Sequence, residues 1–326
     1  MGYSCKHACV TGGAGFIGSH VVGALLARGT EVTVLDNLSV GRESNVPRGA
    51  RLIVGDVLDR AKVQEAIAGC DAVLHLAAKV AIRSSFEFVV EDATTNYVGT
   101  ANVLCAVQQS NSVRKVIATS SMAVYADGPG PVPIDERYDT RPISPYGISK
   151  LAAENLTHAM CGAAGVESVV LRLFNTYGPG QALSPYVGVV TIFVNKLLNG
   201  EIPVIFGDGE QCRDFVHVED VARGFVAALE SDVSNETFNI GTGRPVSVNS
   251  VFQALQAALE APTEAEHVPA VAGELRYSVA NIAKAQRLLG YQPMHRFESS
   301  INPVAQEIRA TQPNNAVPSL VKATRS

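Results

Sequence analysis

The chain has 326 residues, of which 47% are hydrophobic and 17% charged, with a formal net charge of −5. That is long enough for one large or two moderate domains, and too apolar for a disordered chain. An acidic balance with no long basic run argues against nucleic acid or an anionic membrane as the main partner.

Buried strands are predicted at HACVT (7–11), EVTVLD (31–36), RLIVGD (51–56), DAVLHLAA (71–78), RKVIATSS (114–121) and ESVVLRLFN (167–175). Segments of helical length and period alternate with them at 18–29, 60–69, 91–110 and 146–165. Alternating strands and helices predict an α/β fold, a doubly wound parallel sheet of Rossmann type. After about residue 175 Pro and Gly crowd the chain, and helical patterns follow at 190–200, 218–231, 250–261 and 281–290. A smaller α+β C-terminal domain is expected there. The expected division is 1–174 with a return segment near 217–246 for the large-sheet domain, and 175–216 with 247–310 for the smaller domain. Residues 311–326 read as a flexible tail.

The start, MGYSCKHACVTGG, lacks the apolar core of a signal peptide, and no run of 18 or more apolar residues predicts a transmembrane helix. The six cysteines form no C-x-x-C pair, and no metal site is predicted; a reduced, cytoplasmic protein is expected.

VTGGAGFIGSH joins the first strand to the first helix. Gly12 permits a tight turn, Gly15 lets backbone approach a pyrophosphate, and Gly18 allows close packing of helix on strand. The helix N-terminus then faces the phosphates with its partial positive charge. Asp36 ends the second strand, where a carboxylate binds a ribose diol and repels a 2′-phosphate, so NAD is favoured over NADP. Asp56 and Val57 end the third strand at the expected adenine; Asp56 is equally readable as a turn residue. Ala77 and Ala78 end the fourth and are small enough to admit the cofactor.

The fifth strand delivers Ser120 and Ser121 to the sheet's C-terminal edge, where open parallel sheets place ligands. In SPYGISK, Tyr146 and Lys150 are four apart and share a helix face. A surface helix would carry that pair idly. Beside a dinucleotide site, the ammonium and a positive nicotinamide would both favour tyrosinate, making Tyr146 a base and Ser121 a hydrogen-bonding partner of the substrate oxygen.

These motifs, with LDNLSVG, GDVLD, HLAA, SSMAVY, RLFNTYGPGQ, GDGEQCRDFVHVED and FNIGTG, resemble the extended short-chain dehydrogenase/reductase family over about residues 6–310. Within it the chain is similar to nucleotide-sugar 4-epimerases of the UDP-galactose 4-epimerase type. The resemblance implies Ser121, Tyr146 and Lys150 as the catalytic set, with Ser121 four residues before Tyr125. It adds Phe16, Ile17, Asn37, Leu76 and Asn96 to the cofactor site. For the substrate it implies Ser121, Tyr146, Asn175, Val190, Val204, Phe206 and a diphosphate-clamping Arg213, with Arg276 a weaker candidate. Val271 stands where relatives often carry arginine, and Lys79 is one residue early for a cofactor-contacting lysine. A homodimer built on the helices near 91–110 and 146–162 is also implied.

Several reactions share this scaffold, each beginning with oxidation at the sugar C4 by NAD. Dehydratases place Asp or Glu just after the serine or threonine, where this chain has Met122 and Ala123, and neither can move a proton. Epimerisation needs only Ser121, Tyr146, Lys150 and NAD. No basic residue occurs between Arg172 and Lys196, which disfavours a glucuronate. A UDP- or dTDP-linked hexose is expected, with UDP-glucose/UDP-galactose first. The position limiting bulk at the sugar aligns near the small Ser278, so N-acetylated and deoxy sugars stay open. A different class, an NAD-sensing regulator, would usually have lost the serine, tyrosine or lysine.

Overall fold

The computed structural model describes residues 4–80, 82, 84–126, 130–181, 188–270 and 276–311. Seven parallel strands make the main sheet: β1 (His7–Thr11), β2 (Glu31–Asp36), β3 (Arg51–Val54), β4 (Ala72–His75), β5 (Lys115–Ser121), β6 (Glu167–Leu173) and β10 (Glu236–Ile240). Their spatial order is β10-β6-β5-β4-β1-β2-β3. The chain winds outward from β1 in both directions, so the crevice between β1 and β4 is the switch point where such sheets hold ligands.

Apolar side chains cover both faces, as a doubly wound sheet requires. On one face α1 (Phe16–Leu26), α7 (Val218–Glu230) and α9 (Ala283–Leu289) bury Val21, Val22, Leu25, Val221, Phe225 and Ala285. On the other, α2 (Arg60–Ile67), α4 (Gly99–Gln109) and α5 (Pro145–Ala164) bury Val63, Ile67, Val103, Val107 and Cys161. The helix expected at 91–110 begins as α3 (Val89–Ala93), and a π-helical turn at Thr94–Val98 joins it to α4. Such turns recur at functional sites.

A second sheet holds β9 (Cys212–His217) between antiparallel β11 (Pro245–Ser247) and parallel β13 (Tyr277–Ser278); β7 (Asn175–Tyr177) also pairs with β9. A parallel pair, β8 (Val204–Phe206) with β12 (Glu266–Val268), stands apart. Here α6 (Val189–Leu198), α8 (Val248–Leu259) and α10 (Phe297–Thr311) enclose their own core, including Phe193, Val251, Phe252, Leu255 and Ile301. One sequence boundary needs correction. Residues 280–291 were expected in the smaller domain, yet Ala280, Ile282, Ala285 and Tyr291 are buried with the large sheet. The proposed tail beyond Thr311 lies outside the described residues.

Candidate active site

The glycine loop is fixed by close backbone approach. Gly12 has φ +73°, and a Cβ there would lie 2.7 Å from the Ala77 nitrogen. Gly15 is the N-cap of α1, whose first turn has neither a capping side-chain bond nor an acidic residue. The N–H groups that begin at Phe16 and Ile17 are therefore aimed at an external acceptor, which suits a diphosphate. Asp36 is buried and accepts from Ala14 N (2.9 Å) and Leu38 N (2.8 Å), tying the end of β2 to the loop. Asn37 donates to Asp56 (2.7 Å), and Asp56 also accepts from Leu58 N, so it both closes a turn and braces Asn37. Val57 is buried under α4, with its carbonyl held by Asn102. Leu76, Ala77 and Ala78 are half-buried at the end of β4, and Ala77 N donates to Thr11 Oγ1.

Asn96, in the π-helical turn, is buried. Its Oδ1 accepts from Lys79 N (2.8 Å) and its Nδ2 donates to Lys79 O (3.1 Å), so the amide clamps the chain that follows β4. The Lys79 ammonium lies 6.0 Å from the centroid of the Phe88 ring.

Ser144 and Pro145 explain how α5 starts. Ser144 caps it by accepting from Gly147 N (3.1 Å), and Pro at the first position costs no hydrogen bond. A side chain at Gly147 would overlap the Ala123 carbonyl, so only glycine lets α5 press onto the turn after Ser121. That contact brings Tyr146 close enough to Ser121 for the serine hydroxyl to favour the phenolate. Ser121 also accepts from Ala123 N (3.2 Å). The hydroxyls of Thr119 and Ser120 are buried and lack a protein partner.

Tyr146 and Lys150 are both buried. Burial pushes the phenol up to about 12; the Ser121 bond opposes this, and the Asp92 charge adds to it. The sequence expectation of a lysine-lowered tyrosine is thus reversed in the chain alone, because desolvation dominates. Burial pushes Lys150 down to about 8, against the attraction of Asp92 and Glu154. At neutral pH the side chain is still an ammonium. Met122 and Ala123 follow Ser121 directly and carry no ionisable group.

On the substrate side, Asn175 Oδ1 is buried and unpartnered. Arg213 lies on β9, with Nη1 donating to the Cys212 carbonyl (2.9 Å). Arg276 makes a two-point exposed pair with Asp208, at 3.1 and 2.7 Å, so its guanidinium is engaged there. Val190 is buried in the small-domain core, whereas Val204 and Phe206 are half-buried on β8. Ser278 is fully buried, its hydroxyl 3.4 Å from Met122 Sδ. Val271 lies outside the described residues.

Sequence reasoning passed over His75 and Asp92. His75 Nδ1 meets Thr11 Oγ1 (2.7 Å) and Nε2 meets Thr100 Oγ1 (2.9 Å), while Thr100 donates onward to Asn96 O. The histidine in HLAA was the available signal. Asp92 joins Ser149 and Asn96; its four-residue spacing to Asn96 was the available clue. Tyr125, by contrast, bonds to Asn239 (2.6 Å) and Arg172 (2.9 Å), and Arg172 pairs with buried Glu154. That network joins β5, β6 and β10 and leaves Tyr125 no free hydroxyl proton.

The sheet order and the pairing of Tyr146 with Ser121 place the chain among the extended short-chain dehydrogenase/reductases. The model of the NAD-dependent epimerase/dehydratase family matches residues 8–241. The chain belongs to that family, and its cofactor is NAD. It is 38% identical over 286 residues to a putative UDP-glucose 4-epimerase of Methanocaldococcus jannaschii, covering 87% of this chain and 92% of the relative. The structure of Thermus thermophilus UDP-glucose 4-epimerase in complex with NAD is similar at TM-score 0.88 and 35% identity, covering 94% of this chain and 100% of that one. The Methanobrevibacter ruminantium UDP-N-acetylglucosamine 4-epimerase, in complex with UDP-N-acetylmuramic acid, is similar at TM-score 0.88 and 32% identity, covering 94% and 99%. Among the described residues, no helix is long and apolar enough to cross a membrane.

Proposed function

We propose that this protein is a nucleotide-sugar 4-epimerase acting on a UDP-linked hexose, with UDP-glucose and UDP-galactose as the first pair. The observation that carries this reading is that Gly147 presses the start of α5, with Tyr146, onto the turn after Ser121, whose next two residues cannot move protons. Tyr146 is the one base the reaction needs, and elimination of water has no acid to drive it there.

Bound NAD would supply a hydride acceptor and donor at C4, and its positive ring would add to the Lys150 charge in favour of tyrosinate. The chain's own residues do the rest. Tyr146 takes the C4 hydroxyl proton and later returns it to the same oxygen, once the sugar has turned to offer C4's opposite face to the returning hydride. Ser121 hydrogen-bonds the oxygen at C4 and orients it. Lys150 remains an ammonium and lowers the cost of the phenolate. Asn175 and Arg213 hold the diphosphate end while the flat 4-keto sugar turns about it. The similar UDP-glucose 4-epimerases support the choice of sugar.

A second reading rests on Ser278, whose small side chain faces Met122. A small residue at the position expected to limit bulk suits an N-acetylhexosamine, and the similar UDP-N-acetylglucosamine 4-epimerase supports that sugar. A dTDP-6-deoxyhexose is the remaining alternative in the same class.

The test is incubation with UDP-glucose, UDP-galactose, UDP-N-acetylglucosamine and a dTDP-6-deoxyhexose, followed by separation of epimers. Interconversion of one C4 pair without net consumption of NAD is expected. An accumulating dehydrated 4-keto sugar would overturn epimerisation. No turnover of any sugar by NAD-loaded protein would favour the NAD-sensing alternative.

A further inference from the structure

Asp92 is a buried carboxylate that the proposed reaction does not use. It ends α3, one turn before Asn96. One oxygen accepts from Ser149 Oγ (2.5 Å) and the other from Asn96 Nδ2 (3.1 Å). Ser149 also accepts from Asn96 Nδ2 (3.2 Å) and donates to Tyr146 O (3.0 Å). Ser149 therefore sits between Tyr146 and Lys150 on α5, with its hydroxyl shared between Asp92 and the first turn of the helix. Asn96 carries the same network to Lys79, on the segment that follows β4.

Among the described residues, the hydrogen-bond donors to this carboxylate are the neutral Ser149 and Asn96. A buried carboxylate with neutral donors needs a cation close by, or the site bears the full cost of an isolated charge. Among the described residues, the charged and titratable groups facing this point are few. On α5 they are Tyr146, Lys150 and Glu154, and on β4 there is His75. Glu154 is already paired with Arg172 from β6. His75 is neutral, because burial and the Lys150 charge push it down to about 3. Among the described residues, Asp92 and Lys150 remain as an anion and a cation acting on each other.

We propose that Asp92 is a positioning residue of the active site: it fixes the Tyr146–Lys150 face of α5 through Ser149 and Asn96, and its charge is the counter-ion that keeps Lys150 an ammonium. The proposal rests on the epimerase reading only for the identity of the site, since its consequences are measurable without a sugar. The same anion opposes phenolate formation at Tyr146.

The experiment measures NAD affinity between pH 6 and 9.5 for the wild type, Asp92→Asn, Asp92→Glu and Lys150→Met. In the wild type, affinity should weaken with a midpoint near pH 8, where Lys150 loses its proton. In Asp92→Asn the midpoint should fall by about one pH unit or more, the usual effect of losing an adjacent opposite charge. Asp92→Glu keeps the charge and should keep the midpoint, even if overall affinity drops. Lys150→Met should bind weakly with no midpoint. Should Asp92→Asn alone not fold, Asp92→Asn/Lys150→Met should fold, because no unpaired charge is left.

An unmoved midpoint in Asp92→Asn would overturn the proposal, as would an equal fall in Asp92→Glu or a double variant no better folded than the single. Those results leave the epimerase reading intact. That reading fails separately, if Tyr146→Phe still interconverts the sugars.

Discussion

Gly18 lies directly against Gly12: a Cβ on Gly18 would overlap the Gly12 carbonyl oxygen and crowd Gly13 Cα. Both obstacles are backbone, so no side chain can swing aside. Gly18→Ala should therefore push α1 away from the loop, costing about 1–3 kcal/mol of stability as overpacking usually does. NAD affinity should fall more than tenfold, because the helix N-terminus is what moves. Thermal unfolding with and without NAD checks both effects. Wild-type affinity in this variant would mean that the loop is not the phosphate cradle.

Asp36 ends β2 with its carboxylate beside the same loop, tied to Ala14 N and Leu38 N. A 2′-phosphate would meet that charge at short range. Binding titrations should show NAD preferred over NADP by at least about tenfold, or roughly 1.4 kcal/mol. Asp36→Ser should narrow the ratio and loosen the loop, since one side chain serves both tasks. Equal affinities in the wild type would remove Asp36 from the ribose site.

His75 predicts acid sensitivity. Thr100 donates to Asn96 O, so its oxygen must accept from His75 Nε2–H. Nδ1 then accepts from Thr11, whose oxygen already receives Ala77 N. A second imidazole proton would force the Thr11 hydroxyl to turn, and burial pushes the group down to about 3 from an ordinary 6.5. His217 is lowered to about 4, again chiefly by burial. Between about pH 6.5 and the folded values the unfolded chain binds these protons and the folded chain does not. Their stability contribution is whole above pH 6.5 and declines as pH falls, by up to about 1.4 kcal/mol per pH unit for each histidine. Urea midpoints from pH 7 to pH 4 check this. His75→Gln should flatten the curve by one proton, even if it starts less stable.

Much of the large sheet was legible because its strands are buried on both faces and read as continuous apolar runs. The glycine loop and SPYGISK were legible because their chemistry lies within a few neighbouring residues. What stayed hidden had distant partners. His75 meets Thr11 across 64 positions, and Ser149 meets Asp92 across 57. The strands β7, β8, β11, β12 and β13 span two or three residues each, too short to show alternation. Residues 280–291 follow the small domain in the chain, so only packing reveals that they belong with the large sheet. Burial of Tyr146, which raises its pKa in the chain without cofactor, is likewise a tertiary effect that spacing does not reveal.

Apolar side chains on α3, the π-helical turn and α5 point outward. Val90 is 73% exposed and Ile148 57%, with Val89, Tyr97 and Val98 also exposed. Such a contiguous face on a monomer marks an interaction surface, and we propose that a second copy of the chain covers it. Sedimentation at micromolar concentration should give a dimer. Val90→Lys with Val98→Lys should shift it toward monomer, because a two-fold axis sets like charges against each other. A monomeric wild type would contradict this.

Tyr146 and Lys150 should not fail independently. Tyr146→Phe removes the base but keeps the buried ring, so NAD binding should survive while epimerisation falls by several orders of magnitude. Lys150→Met removes the cation that offsets the burial cost of a phenolate, and it should also weaken NAD. Its activity should recover in part at high pH, where the phenol ionises unaided; Tyr146→Phe should show no such recovery. The double variant should lose far less than the product of the two single losses, as expected for groups acting as one unit. Conversion of the preferred epimer pair, measured in the wild type and the three variants across pH, decides the matter. Activity of Tyr146→Phe within tenfold of wild type would end the catalytic reading, because no other ionisable side chain within the turn after Ser121 could replace the phenol.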